Sequence, residues 1–218
     1  WGGRPSRAAG ARAGWRGPVG WEPDYRGHRL GSARVTRGGA EVVCAAVGEE
    51  CVRRWLREEG GGWMPAECAR LPASTGDRVE REASRGKQQG RTIEIQRLIG
   101  RALRAVVDFQ ALGERTLWLD CDVLQADGGT RCAAISGAYV AAKRALDRFG
   151  LSRAFVDSVA AVSVGVVDGM PLLDFTYAED SYAHTYIIVV MTGDGTLFVV
   201  PATAEKDPFA RTTLDDLL

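Results

Sequence analysis

The segment with the clearest chemical potential is Gln125 to Arg131, reading QADGGTR, where two consecutive glycines precede a hydroxyl and a guanidinium. Gly128 and Gly129 permit a tight turn that exposes backbone N–H groups, and a helix beginning near Thr130 would add the positive end of its dipole. Such a turn can hold a phosphate, with Thr130 as a hydroxyl donor and Arg131 as a fixed-charge fork. The same residues also suit an ordinary strand-to-helix turn carrying a surface arginine, and the spacing alone does not choose between the two. Arg91 supplies a second guanidinium directly after the glycine-containing stretch RGKQQG, although an arginine taken alone is most often a surface residue. Asp174, Glu179 and Asp180 form an acidic group that could offer oxygen ligands to Mg²⁺, or equally be a solvated turn. Arginines, a glycine turn and carboxylates in one domain suit phosphoryl transfer, where positioning and charge neutralisation supply most of the catalysis.

These groups need elements to position them. From Thr92 to Val107, the apolar residues Ile95, Leu98, Ile99, Ala102 and Val106 recur at helical spacing. Thr116 to Val123 alternates, with Leu117, Leu119, Cys121 and Val123 on one face, which predicts a strand buried on one side. The Ala-rich segment Ala133 to Arg148, bounded by DGGT and Gly150, predicts a second helix. QADGGTR therefore sits between a strand and a helix. Further strands are expected at Val159 to Val167, Leu172 to Phe175 and Ile187 to Met191, with a hairpin return at Thr196 to Val200 after GDG. Val35, Val42 and Val43 around Gly38 and Gly39 predict two short strands, and the final LDDLL reads as a helix. Residues 60–90 read as a long functional loop, and no structure is expected ahead of residue 31. Helices interleaved with strands and hairpins fit mixed sheets covered by helices, an α+β (α/β layered) domain.

Composition narrows the class. With 218 residues and 45% hydrophobic content the chain can bury a substantial core. Its apolar runs fall far short of the roughly 20 residues needed to cross a bilayer, and no secretory signal is legible, so the cytoplasm is the expected location. Cys44, Cys51, Cys68, Cys121 and Cys132 contain no close CxxC pair, and only His28 and His184 could supplement them. A zinc site or disulfide framework is therefore not expected. The net charge is zero, but residues 1–39 carry eight arginines against Glu22 and Asp24. This basic leader could serve nucleic acid, or be a disordered or non-family segment over residues 1–30.

A longer pattern surrounds the glycine turn. GRTIEIQRLIGRALRAVVD, then LGERTLWLDCDVLQADGGTRCAAISGAYVA, followed in order by AAVSVGVVDG, PLLD, YAEDS, VVMTGDG and TAEKDPF, resembles the ribonuclease PH family. Upstream, GWMPAECARLPAST and VEREASRGKQQGR extend the resemblance, which covers about residues 31–218 and is incomplete at both ends. It implies a ribosomal protein S5 domain 2-like fold assembling into a hexameric ring. It also implies a reaction, in which inorganic phosphate attacks the terminal RNA phosphodiester and releases a nucleoside diphosphate during maturation of tRNA precursors. By the same resemblance Arg91, Gly129, Thr130 and Arg131 bind phosphate, Asp180 is a catalytic carboxylate that helps place Mg²⁺ or protonates the leaving oxygen, and Arg78 and Arg81 grip RNA.

The chain also departs from that pattern. Tyr186 stands where the family has a second aspartate, and a phenol with a pKa near ~10 cannot replace a carboxylate as a hard metal ligand at neutral pH. His184 occupies another usually acidic position, Ala73 replaces an arginine of the RNA-gripping loop, and Pro201 with Ala202 replaces a Gln-Gly pair. The family's first strand and terminal helix are not recognisable in the sequence. Three readings remain: a phosphorolytic exoribonuclease with weakened catalysis, an inactive RNA-binding ring subunit of an exosome-like assembly, or a product unable to complete its sheet.

Overall fold

The computed structural model describes residues 19–167, 169–199, 202–204 and 209–218. Strand β1 spans Val19–Pro23, β2 Gly31–Arg37, β3 Ala40–Glu49 and β4 Ala66–Arg70. After the short helix α1 (Glu82–Arg85) come α2 (Gly90–Arg104), α3 (Phe109–Leu112), strand β5 (Thr116–Gln125) and α4 (Thr130–Arg148). The second half runs β6 (Val159–Val167), β7 (Met170–Leu173), α5 (Tyr177–Tyr182), β8 (Thr185–Thr192), β9 (Leu197–Val199), β10 (Ala202–Ala204) and α6 (Arg211–Leu217).

One sheet has the order β1-β2-β3-β5-β4, with β4 parallel to β5 and the other pairings antiparallel. The other has the order β10-β8-β6-β7, with β9 also on β8, and is antiparallel throughout. Helix α4 packs on β2 and β3 of one sheet and on β6 of the other, while α2 lies beside it and against β4. The result is the mixed, helix-covered α+β arrangement expected from the pattern of elements.

Side-chain pattern explains the layers. On β5, Leu117, Leu119, Cys121 and Val123 are buried, whereas Asp122 on the opposite face is exposed. Helix α4 is surrounded by other elements, so it buries Ala133, Ala134, Ala138, Ala141, Ala142 and Ala145 rather than a single stripe. Small residues let the backbones approach: a Cβ added at Gly31 of β2 would lie 1.9 Å from the Ala141 carbonyl oxygen. One core runs through both sheets, joining Val42 and Leu119 to Ile188 and Val190. A smaller cluster seats Leu217 of α6 against Val164, Ile187 and Val189.

Several boundaries differ from the sequence expectation. Structure begins before residue 31, because β1 pairs with β2 along its whole length and Asp24, which follows it, pairs with Arg144 and Arg148 of α4. Residues 60–90 are not one loop, since β4 and α1 lie within them. The strand expected at Leu172 to Phe175 ends at Leu173, because Asp174 takes a left-handed φ of 62° that breaks the extended run. Residues 1–18, Val200, Pro201 and 205–208 fall outside the described residues. The cysteines are free thiols, and burial pushes those of Cys68 and Cys132 up to about 12, which makes them inert. No helix among the described residues is long and apolar enough to cross a membrane.

The two sheets are also joined by a buried ion pair. Arg37 Nε donates to Asp174 Oδ1 at 2.7 Å with side chains only 7% and 5% exposed, and Arg37 Nη1 donates to the Ala161 carbonyl at 2.9 Å. Removing one member of such a pair strands the other charge away from water. Asp174→Asn, which retains a residue tolerant of the left-handed backbone, is expected to lower the unfolding free energy by about 3–5 kcal/mol. The urea midpoint, compared with that of the wild-type chain, checks this.

Candidate phosphate site

β5 delivers the chain to the glycine turn, and the turn is locked from three sides. Asp127 Oδ2 accepts from Gly39 N at 3.0 Å and Oδ1 accepts from Tyr177 N at 2.7 Å, tying the β2–β3 turn to the start of α5. Gln125 Nε2 donates to Gly39 O at 2.7 Å. Gly128 passes so close to α5 that a Cβ there would sit 2.0 Å from the Phe175 carbonyl oxygen. Gly129 has φ 74°, a conformation that a side chain would strain.

Helix α4 then starts without a side-chain cap, which leaves its first-turn N–H groups available to an anion. The Thr130 hydroxyl donates to Asp127 O at 2.7 Å and accepts from Asp127 N at 3.0 Å. Its single proton is thus used inside the turn, so Thr130 offers an anion its backbone N–H rather than the hydroxyl donor expected from sequence. Arg131 Nη2 donates to Glu94 Oε2 at 3.4 Å, while its buried Nε has no hydrogen-bond partner among the described residues. A buried N–H of a guanidinium without an acceptor is costly, and an oxyanion oxygen would satisfy it.

Helix α5 is fixed by a capping box in which Thr176 accepts from Glu179 N and the buried Glu179 carboxylate accepts from Thr176 N at 3.0 Å. That orientation brings Asp180 to the glycine turn. Arg91, Gly129, Thr130, Arg131 and Asp180 all line one cavity of about 140 Å³, together with Asp127, Gly128 and Tyr186. Since a water needs only about 10–15 Å³ of such space, the cavity suits a small oxyanion with part of its hydration. Larger pockets of about 490 and 580 Å³ lie elsewhere, and neither contains the glycine turn.

Electrostatics follow from this convergence. Partial burial lowers the Arg91 pKa most, the like charges of Arg131 and Arg70 lower it further, and Asp180 and Glu94 oppose them. Arginine stays cationic nonetheless, so the cavity gathers two fixed positive charges, the exposed Arg91 and the partly buried Arg131. Burial also pushes the Tyr186 phenol well above its ordinary range, the Cys132 thiol acting in the same direction.

The acidic group expected from sequence separates in space. Asp174 is committed to Arg37 and Glu179 to the α5 cap, so of the three only Asp180 faces the cavity. Both Asp127 oxygens receive backbone N–H groups, Tyr186 brings a neutral phenol, and no group of three or more His, Cys, Asp or Glu among the described residues could hold a metal ion. This donor set does not fit a metal held by the protein. Arg78 and Arg81 are exposed on the segment leading into α1 and do not line the cavity, and Ala73 is exposed nearby. His184 donates its backbone N–H to Val166 O at 2.9 Å and is not a cavity residue.

Family models for the 3′ exoribonuclease family match in succession, domain 1 over residues 18–145 and domain 2 over residues 157–218. This chain belongs to the ribonuclease PH family of 3′ exoribonucleases. A curated ribonuclease PH from Syntrophomonas wolfei is 52% identical over 201 residues, covering 90% of this chain and 84% of that protein. Among solved structures, rice (Oryza sativa) Rrp46 aligns with a TM-score of 0.77 at 16% identity, covering 96% of this chain and 90% of that one. An Archaeoglobus fulgidus exosome with RNA bound to the active site aligns with a TM-score of 0.77 at 19% identity, covering 93% of this chain and 83% of that one. At such identities these structures speak to the fold. The family match starting at residue 18 takes in β1, which sequence reading had left out.

Sequence reading also missed residues that shape the site. Asp127 lies inside the QADGGTR motif, yet its task is to tie the turn to its neighbours, which only the fold reveals. Arg70, at the end of β4, and Glu94, one turn into α2, act electrostatically on Arg91. The position of Glu94 three residues after Arg91 on a helix was the available signal for the latter.

Two outcomes follow for this ribonuclease PH-family site. Gly128→Ala forces Phe175 and Thr176 to move, and is expected to cost about 1–3 kcal/mol and to weaken phosphate binding, read by thermal melts and calorimetry. The raised phenol pKa has a definite sign: below the unfolded value of about 10, Tyr186 is neutral in both states and its contribution is intact. As pH climbs toward the folded value, only the unfolded chain ionises, and stability falls by up to about 1.4 kcal/mol per pH unit. Tyr186→Phe is expected to remove that part of the alkaline loss in denaturation curves measured between about pH 9 and 11.

Proposed function

We propose that this chain shortens RNA from the 3′ end by phosphorolysis, with inorganic phosphate as co-substrate and nucleoside diphosphates as products. The observation that carries the reading is the meeting of Arg91, Asp180 and Arg131, whose Nε has no acceptor among the described residues, in one small cavity at the uncapped start of α4. Phosphate seated there would receive backbone N–H groups from the glycine turn and guanidinium hydrogen bonds from both arginines. One of its oxygens attacks the terminal phosphodiester phosphorus, a new P–O bond forms, and the bond to the 3′ oxygen of the preceding nucleotide breaks. That oxygen leaves with a proton, and Asp180, a carboxylate lining the cavity, moves it from the attacking phosphate. The guanidiniums neutralise charge that builds up between attacking and leaving oxygens. None of these steps is routed through Mg²⁺, which the family resemblance implies and which the cavity would hold only together with substrate phosphate oxygens.

The finer parts of the reading are as follows. The RNA substrates are tRNA precursors, the working assembly is a homohexameric ring, and the location is cytoplasmic. Exposed Arg78 and Arg81 contact the RNA backbone outside the cavity. Tyr186 at the place of a second carboxylate slows turnover without dismantling the phosphate cradle. It also motivates a second reading, an inactive RNA-binding subunit of an exosome-like ring, which predicts salt-dependent RNA binding and no turnover.

Incubating the purified chain with inorganic phosphate, Mg²⁺ and a tRNA precursor decides between them. Nucleoside diphosphate release is expected, and Arg131→Ala is expected to lower kcat/KM by about 10²–10³. Arg131→Lys should restore little of this, because an ammonium cannot reproduce the planar fork. Release of nucleoside monophosphates, or no release even from Tyr186→Asp, would overturn the phosphorolytic reading.

A further inference from the structure

Tyr186 is the cavity residue for which the phosphorolytic scheme has no task. It lies in β8 between β6 and β10, its backbone in register with Gly165 and Thr203, so it cannot shift without disturbing the second sheet. Its ring packs beside Phe175, with centroids 6.0 Å apart and planes tilted by 34°, and against the main core. It nevertheless lines the cavity with Arg91, Arg131 and Asp180. A phenol held rigidly by its ring, in a cavity otherwise lined by charged groups and a glycine turn, offers one directional O–H at low entropic cost.

Charge balance in the cavity gives that O–H a use. Arg91 and Arg131 face Asp180 and Asp127, and the Asp127 charge is further offset by two backbone N–H groups. An incoming phosphate dianion therefore meets lining groups of no net negative charge, with unmet donors at Arg131 Nε and the α4 amides. A carboxylate at position 186 would add a negative charge there and would need a cation between itself and the phosphate. A neutral phenol needs none, and can point its proton at a phosphate oxygen instead.

We propose that the Tyr186 hydroxyl is a phosphate-binding hydrogen-bond donor, which completes the cradle formed by the glycine turn, Arg91 and Arg131 and lets this chain bind inorganic phosphate without a divalent cation. The inference rests on the proposed function only in taking phosphate as the ligand of this cavity. It assigns Tyr186 to ground-state binding, so its loss falls on the affinity for phosphate rather than on the fold.

Titration calorimetry with inorganic phosphate tests this on the intact chain, in EDTA and again in excess Mg²⁺. The wild-type chain is expected to bind phosphate with the same affinity, within about twofold, in both. Tyr186→Phe keeps the ring and its packing and is expected to weaken binding by about tenfold or more in both, the range for a hydrogen bond to a charged group. Tyr186→Asp is expected to lose binding in EDTA and regain it in Mg²⁺. Binding by the wild-type chain only in Mg²⁺ overturns the proposal, as does wild-type affinity in Tyr186→Phe. The comparison of EDTA with Mg²⁺ needs no variant, so a misfolded mutant does not shield the idea. Metal-independent phosphate binding with no nucleoside diphosphate release would sink the phosphorolytic reading and leave Tyr186 in its place. Nucleoside diphosphate release with strictly Mg²⁺-dependent phosphate binding would do the reverse.

Discussion

The cavity exists because two chain halves are held together by polar contacts, the central one buried from water. Arg37 ends β2 at the β2–β3 turn and Asp174 follows the strand β7, and their buried ion pair fixes the distance between the sheets at the point where the glycine turn passes. Asp127 repeats the device in the glycine turn itself, one oxygen on Gly39 and the other on Tyr177. A hydrophobic contact would hold the halves equally well, but it would not set direction. A carboxylate that accepts from two separate segments fixes where the β5–α4 turn sits relative to α5, and hence where Arg131 and Asp180 meet. Even the left-handed backbone of Asp174 fits this logic, since it ends β7 and turns the chain toward α5 while delivering the carboxylate to Arg37.

Given that frame, the site stores unfavourable electrostatics rather than relieving them. Arg131 and Arg70 lower the pKa of Arg91, and the buried Nε–H of Arg131 has no acceptor among the described residues. Folding tolerates the arrangement because the core that runs through both sheets and around α4 is extensive, and strain of this kind is common where a ligand will bind. An anion entering the cavity relieves repulsion, satisfies the orphan donor and meets the uncapped helix at once. Binding of phosphate should therefore be strongly coupled to the stability of the turn itself.

How much of this the sequence disclosed depends on what each segment buries. β5 and α2 were legible because their apolar residues repeat with the period of the element and face one core. β1 was not, because all five of its residues are exposed and no alternation marks it; backbone pairing with β2 and the Asp24 contacts to α4 hold it instead. β4 buries only Cys68, too little pattern to separate it from its Gly- and Arg-rich surroundings. The glycine turn was visible as a motif, but its locking partners Gly39, Phe175 and Tyr177 are distant in sequence and carry no signature of their own. The acidic group misled for a related reason: proximity in sequence put Asp174, Glu179 and Asp180 together, and three different local demands then drew them apart.

Position 186 shows how a frame of this kind admits a change of chemistry. β8 sits between two strands, so its backbone holds any side chain at 186 toward the cavity whatever its charge. A carboxylate there would add to the negative charge of Asp180 and make a cation the natural bridge to phosphate. A phenol adds no further negative charge to that of Asp180 and Asp127, favours the bare anion, and gives up a group able to organise metal-bound oxygens in the transition state. Ground-state affinity and turnover then move in opposite directions. Under the proposed function, tight phosphate binding beside slow release of nucleoside diphosphate is the expected behaviour, and a single strand position, rather than any rearrangement of the fold, sets the balance.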